Sequence, residues 1–73
     1  MTNNEIQDYR ISCQDSADFI SSEIGSETVK FVLAKYGADS IESISPSDLP
    51  EVFSELYAIE ADLKNLILVP GMT

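Results

Sequence analysis

Carboxylates are the only plentiful side chains in this sequence that could transfer a proton. The chain contains 13 Asp and Glu residues, no histidine and a single cysteine, so general acid–base catalysis would fall to carboxylates, tyrosine or lysine. Glu51 and Glu55 stand at helical spacing, and Asp62 follows Glu55 by one heptad. Nothing around them indicates that one member of a pair is desolvated, which is what separates two carboxyl pKa values. The sequence therefore predicts no enzyme and no catalytic residue, and a carboxylate-dependent enzyme is a minor alternative.

The sequence also predicts no cofactor and no metal site. Zinc sites use several Cys and His ligands, and a calcium loop needs oxygen ligands at alternating positions around a central glycine. The stretch 37–48 has acids at 39, 42 and 48 only, so it does not fit such a loop. No cation stands beside Cys13 to lower the pKa of its thiol. We expect Cys13 to be an inert, buried or half-buried apolar residue.

The net charge of −9 restricts the partners of this chain. Binding to a phosphate backbone depends on Lys and Arg that release counterions, and only four are present, so we expect no direct contact with nucleic acid. An anionic membrane surface is disfavoured for the same reason, and no apolar run reaches about 18 residues. The sequence favours another protein with a basic surface. A lone cysteine and the lack of a basic and apolar leader predict a cytoplasmic location.

The pattern of apolar residues predicts an all-α fold. A chain of 73 residues, 44% of them hydrophobic, is expected to form one small acidic helical domain over 1–73. Apolar residues recur at intervals of three and four, which is typical of helices. The prediction is a small three-helix bundle with a short extra helical turn and a poorly defined N-terminal arm. The helices are predicted at 15–24, 26–36 and 49–67, and the turn near 40–44.

Capping residues set the predicted boundaries. Asp15 or Ser16 serves as the N-cap of the first helix, and Gly25 either breaks the chain after it or only kinks one longer helix. Residues 1–13 fit the spacing of a helix and of a strand, so helix, strand and disorder stay open for this arm. The arm, the helical core and the C-terminal tail are predicted at 1–13, 15–67 and 68–73.

The last helix carries the longest apolar stripe, which we call the seam. Its members are Leu49, Val52, Leu56, Ile59, Leu63 and Leu66. A stripe of this kind forms either the core of a monomeric bundle or a contact between copies. The residues on its two flanks offer no basic partners for the acidic ones, so a homodimer is possible but not favoured. The predicted core comprises Phe19, Ile20, Ile24, Phe31, Val32, Ile41, Ile44, Val52, Phe53, Leu56, Ile59 and Leu63.

Acidic residues flank the seam and form the predicted partner-binding site, which we call the acidic edge. Its members are Asp48, Glu51, Glu55, Glu60 and Asp62. Carboxylates three or four residues apart on a helix lie about 5–6 Å from each other, a scale comparable to that of phosphates along a nucleic-acid strand. The sequence therefore predicts a non-enzymatic acidic interaction module. In its sharper form the chain is an inhibitor or antitoxin-like protein that occupies a basic nucleic-acid-binding surface, and the alternative is a homo-oligomeric structural module that associates through the seam.

Overall fold

Three α-helices make up most of the chain. The computed structural model describes residues 2–68, and their side chains as far as residue 66. The helices are α1 (Asn3–Ile24), α2 (Glu27–Lys35) and α3 (Leu49–Leu68), and two short 3₁₀ turns, Ile41–Ser43 and Pro46–Asp48, lie between α2 and α3. No β-strand occurs among residues 2–68. The predicted all-α three-helix bundle with an extra helical turn is confirmed.

Helix α1 begins at the N-terminus of the described chain, so residues 3–13 are not a separate arm. Thr2 Oγ1 accepts a hydrogen bond from the Glu5 backbone N–H at 3.2 Å, and Glu5 Oε1 accepts one from the Thr2 N–H at 3.0 Å. This reciprocal pair is a capping box, which satisfies two donors that a helix start leaves unpaired. The predicted start at Asp15 is therefore wrong. The signal was present in the sequence, since Thr2 and Glu5 have the spacing that defines such a box.

Two glycines end α1 and α2. Gly25 has φ +89° and Gly37 has φ +71°, a left-handed region that costs other residues strain. After α2, the Gly37 N–H donates to Ala34 O and the Ala38 N–H donates to Leu33 O, the two bonds of a Schellman ending. Gly25 therefore breaks the helix rather than kinking it.

Helices α1 and α3 pack side by side and run in the same direction. The rings of Tyr9 and Phe53 meet with centroids 6.2 Å apart. Two turns along, Ser16 donates to Glu60, 44 residues further along the chain. Because the same separation holds for both pairs, the helices are parallel, and α2 with the connector has to return the chain to the start of α3.

The connector between α2 and α3 packs into the core and is also hydrogen-bonded to α1. Ile41 and Ile44 are buried in the core, as predicted for the helical turn. Arg10 of α1 donates from Nη1 to Ile41 O at 2.8 Å and to Glu42 O at 3.2 Å. These carbonyls belong to the 3₁₀ turn Ile41–Ser43, in which Ile41 O also accepts a hydrogen bond from the Ile44 N–H at 3.3 Å, so Arg10 reinforces this turn from α1.

The observed core matches half of the predicted list. Ile20, Val32, Ile41, Ile44, Val52 and Leu56 are buried. Phe19, Phe53, Ile59 and Leu63 are half-buried. Ile24 is 50% exposed because it lies in the last turn of α1, and Phe31 is 69% exposed because it lies off the inner stripe of α2. The buried members of that stripe are Val29, Val32 and Leu33. The buried residues missing from the prediction are Cys13, Ser16, Ala17, Val29, Leu33, Ala38 and Leu49.

Burial decreases along the seam of α3. Leu49, Val52 and Leu56 are fully buried, whereas Leu66 is 73% exposed. The seam therefore serves the core of its own chain over its first half. The predicted helix end at 67 is one residue short of Leu68, and the rest of the predicted tail lies outside the described residues.

Truncation of the seam tests this gradient. We expect Leu56→Ala to lower the free energy of unfolding by about 2–5 kcal/mol, the range for a buried leucine. The matched change Leu66→Ala, in the same helix, should cost less than about 0.5 kcal/mol because its side chain is exposed. Urea denaturation of both variants measures the difference, and equal losses would show that the two positions are equally buried.

Candidate interaction surface

Glu55 of the acidic edge joins α3 to the end of α2. Its carboxylate accepts hydrogen bonds from Lys35 Nζ and from the Tyr36 hydroxyl, which belong to the last turn of α2 and to the residue that caps it. The bond from Lys35 and then the bond from Tyr36 favour the ionised form, so the pKa of Glu55 lies below its usual range. Glu55 therefore helps to hold the end of α2 against α3, in addition to the predicted contact with a partner.

Glu60 joins α3 to α1 on the other flank of the seam. Its Oε1 accepts from Ser16 Oγ at 2.7 Å, and Lys64 Nζ lies 2.6 Å from Oε2. The bonds from Lys64 and Ser16 lower the pKa of Glu60, and the same contact raises the pKa of Lys64. Ser16 is buried, so the bond satisfies a hydroxyl that water cannot reach. Lys64 Nζ also stands 5.1 Å from the centroid of the Phe19 ring, within cation–π range.

The other three members of the acidic edge have free carboxylates. Asp48 is half-buried at the end of the second 3₁₀ turn, and Glu51 and Asp62 are exposed. Within residues 2–68 their carboxylates form no salt bridge with a lysine or arginine and accept no side-chain hydrogen bond. Glu55 and Glu60 are engaged within the chain, and the contact of the acidic edge with a partner stays a prediction.

The pKa of Tyr36 responds to several members of the acidic edge. The hydrogen bond to Glu55 is the main cause that raises the pKa of Tyr36 to about 12, followed by burial and by the negative charges of Glu55, Glu51 and Asp48. Of these three acids, Glu55 contacts the hydroxyl directly, and Glu51 and Asp48 act on it through their negative charge. Asp62 is absent from that group and lies one heptad beyond Glu55.

All four cationic side chains of the chain are used in contacts within it. Arg10 binds two carbonyls of the connector, Lys35 binds Glu55, and Lys64 binds Glu60. Lys30 lies 3.8 Å from Glu27 with both side chains largely exposed, a pair that contributes little to stability. Ten acids form no salt bridge to lysine or arginine in the part of the chain that the structure describes: Glu5, Asp8, Asp15, Asp18, Glu23, Asp39, Glu42, Asp48, Glu51 and Asp62.

A groove between α1 and α3 brings aromatic and acidic side chains together. It has a volume of about 230 Å³ and is lined by Glu5, Asp8, Tyr9, Ser12 and Phe53. The aromatic row continues on α3, where the centroid of Tyr57 lies 5.6 Å from that of Phe53. We call this feature the aromatic groove. The sequence pattern does not indicate this groove, because its residues come from two helices. The spacing within residues 1–13, which supply four of them, fits both a helix and a strand.

A second groove lies on another side of α1. It has a volume of about 200 Å³ and is lined by Gln7, Arg10, Ile11, Gln14 and Glu42. Its lining is mostly polar. It also contains a cation of the chain itself, since Arg10 reaches across to the connector.

The single cysteine lines neither groove. Cys13 is buried, and burial raises the pKa of its thiol to about 11, so the reactive thiolate is scarce near neutral pH. Within residues 2–68 no three Cys, Asp or Glu side chains are grouped closely enough to hold a metal ion. In the same part of the chain, each helix is too short or too polar to cross a membrane.

Comparison with protein-family models, with curated proteins and with solved structures finds no match to this chain.

Titration of Tyr36 tests its contact with Glu55. Its folded-state pKa of about 12 is above the ordinary value of about 10, so its contribution to stability is complete below pH 10 and is lost as the pH rises through 12. We expect Tyr36→Phe to abolish the latest phase of tyrosinate absorbance and to make stability fall less steeply over that interval. Tyr57→Phe is the control and should retain the late phase. A late phase that survives Tyr36→Phe would contradict the contact.

Reaction of Cys13 with Ellman's reagent tests its burial. Because its pKa is about 11 and an exposed thiol titrates near 8.5, we expect the folded protein to react at least about 100-fold more slowly than the protein unfolded in urea. Cys13→Ser should leave any binding activity intact in a variant that remains folded. Equal rates in the folded and unfolded protein would show that the thiol is accessible.

Proposed function

We propose that this chain is a non-enzymatic acidic interaction module that binds a basic surface of another protein in the cytoplasm. One observation carries the proposal: Arg10, Lys35 and Lys64 are engaged in contacts within the chain, Lys30 forms only an exposed pair with Glu27, and ten acids form no salt bridge to lysine or arginine in the described residues. The charge that remains available to a partner is negative. A free buried cysteine is in keeping with a reducing compartment.

Negative surface charge acts mainly on the approach of the partner. Opposite charge steers two proteins together and raises the association rate, an effect that weakens with salt. Glu51 and Asp62 are exposed members of the acidic edge on α3, and Asp48 is half-buried immediately before this helix. Such a row of carboxylates on a rigid helix suits a groove that otherwise binds phosphates. We therefore propose an inhibitor or antitoxin-like role on a nucleic-acid-binding surface.

Association between copies through the seam is the second candidate function. The exposure of Leu66, at 73%, favours it. The complete burial of Leu49, Val52 and Leu56 leaves little of the seam for a second copy. The heterologous interaction is therefore the stronger proposal, and sedimentation of the pure protein over a range of concentrations separates the two. A dimer in the low micromolar range would favour the homo-oligomer.

The test of the main proposal begins with cross-linking in the native host, followed by purification of the captured partner. Association rates are then measured against ionic strength for the wild type and for Glu51→Gln with Asp62→Asn. We expect the double variant to associate several-fold more slowly at low salt and to show a flatter salt dependence, because charges at a rim steer encounter. Nucleic acid that the partner binds should compete with the chain.

The matched control is Asp15→Asn with Glu23→Gln, which removes the same charge from exposed positions of α1. We expect it to slow association less than the α3 pair does. If both pairs slow association equally, the acidic edge is not the contact. A partner that lacks a basic surface and binds independently of salt would contradict the proposed function.

A further inference from the structure

We propose that the aromatic groove between α1 and α3 receives an arginine side chain of the basic partner. The inference rests on the proposed function, since it requires a basic partner. It specifies where on the chain the partner binds and which chemical group of the partner makes the contact.

The walls of the groove match a guanidinium group. The two rings that line it, Tyr9 and Phe53, meet edge to face at an interplanar angle of 63°. The ring of Tyr57, tilted by 33° to that of Phe53, lies next to them on α3. A planar cation stacks on such rings and interacts with their negative faces. Asp8 is exposed beside the same groove, so its carboxylate can accept two parallel hydrogen bonds from the guanidinium. Stacking and charge pairing are therefore available to one side chain at once.

No lysine or arginine of the chain lines the aromatic groove, although all four lie within the described residues. Arg10 lines the second groove and binds Ile41 O and Glu42 O. Lys64 lies over Phe19 and binds Glu60. The negative charge at this groove thus lacks an internal lysine or arginine, and a cation from outside would complement it.

The dimensions of the groove fit one long side chain. Its volume of about 230 Å³ is below the range of about 300–1,000 Å³ that is usual for small-molecule and cofactor sites. An arginine fits better than a lysine, because an ammonium group is a compact, strongly hydrated charge that gains less from stacking. Aromatic and arginine contacts are also those that most often dominate interfaces.

The experiment uses the full chain and a defined probe, a Gly/Ser dodecapeptide that carries four arginines. Nuclear magnetic resonance follows the ring signals of Tyr9, Phe53 and Tyr57 and the backbone amides during titration at low salt. The same peptide with four lysines is the control for charge. We expect the arginine peptide to shift the three rings in a saturable manner and to bind about threefold more tightly than the lysine peptide.

Two pairs of variants locate the contact. Asp8→Asn is matched by Asp18→Asn, which removes the same charge from an exposed site of α1 outside the groove. Tyr57→Ala is matched by Phe31→Ala, since both rings are exposed, at 54% and 69%, and Phe31 lies on α2. We expect Asp8→Asn and Tyr57→Ala each to weaken the arginine peptide by about threefold or more, and their controls by less than about twofold.

Each result supports or overturns a stated claim. Equal losses for Asp8→Asn and Asp18→Asn, with shifts spread over the whole acidic surface, would overturn the arginine site and leave the proposed function in place. Equal affinity of the arginine and lysine peptides would overturn the choice of arginine. If neither peptide perturbs the spectrum at low salt and the captured partner lacks a basic surface, both the arginine site and the proposed function are wrong.

Discussion

Side chains of α1 meet side chains of α3 at a constant separation of 44 residues, and the parallel packing of these two helices is the constraint on which the other features depend. Parallel neighbours cannot be joined by a short turn, so the chain has to return along their length. The break at Gly25, the short helix α2 and the two 3₁₀ turns accomplish this return. Arg10 of α1 holds the connector in place, because it donates to Ile41 O and Glu42 O of the first 3₁₀ turn.

The same packing determines what each flank of α3 can do. One flank faces α2, where Glu55 binds Lys35 and Tyr36. The other flank faces α1, where Glu60 binds Ser16 and the rings of Tyr9 and Phe53 meet. A small chain buries little apolar surface, so these polar contacts at the edges of the core help to define how the helices are arranged. They also use the few cations that the chain has.

The use of the cations connects the fold with the proposed function. Lys35 and Lys64 are paired with Glu55 and Glu60, so the charges of these groups offset one another and the other exposed acids keep theirs. The chain therefore presents a negative surface over several helices, and at one place on it, between α1 and α3, aromatic rings lie beside carboxylates without a lysine or arginine of the chain. Charge over the whole surface and shape at one groove are different properties. The surface charge suits attraction of a partner over a distance, and the shape of the groove suits recognition of that partner at contact.

The sequence by itself determined the helical fold, the bounds of α2 and α3 to within about one residue, and the apolar stripe of α3. These features depend on local information, namely apolar spacing, glycine at helix ends and capping residues. It also determined the net charge of −9, and with it the kind of partner that we propose. The start of α1 could also be predicted from the sequence, since the capping box of Thr2 and Glu5 is a local pattern.

Only the tertiary structure decided which members of the acidic edge are engaged and which residues form the groove. Glu55 and Asp62 occupy equivalent positions one heptad apart, yet only Glu55 lies opposite Lys35 and Tyr36. Ile24 and Phe31 are apolar at helical spacing, yet no neighbour covers them well, because one lies at the end of its helix and the other off the inner stripe. The physical reason is the same in each case: a side chain's partners come from another helix, and the packing that brings them there is not encoded in the spacing along one helix.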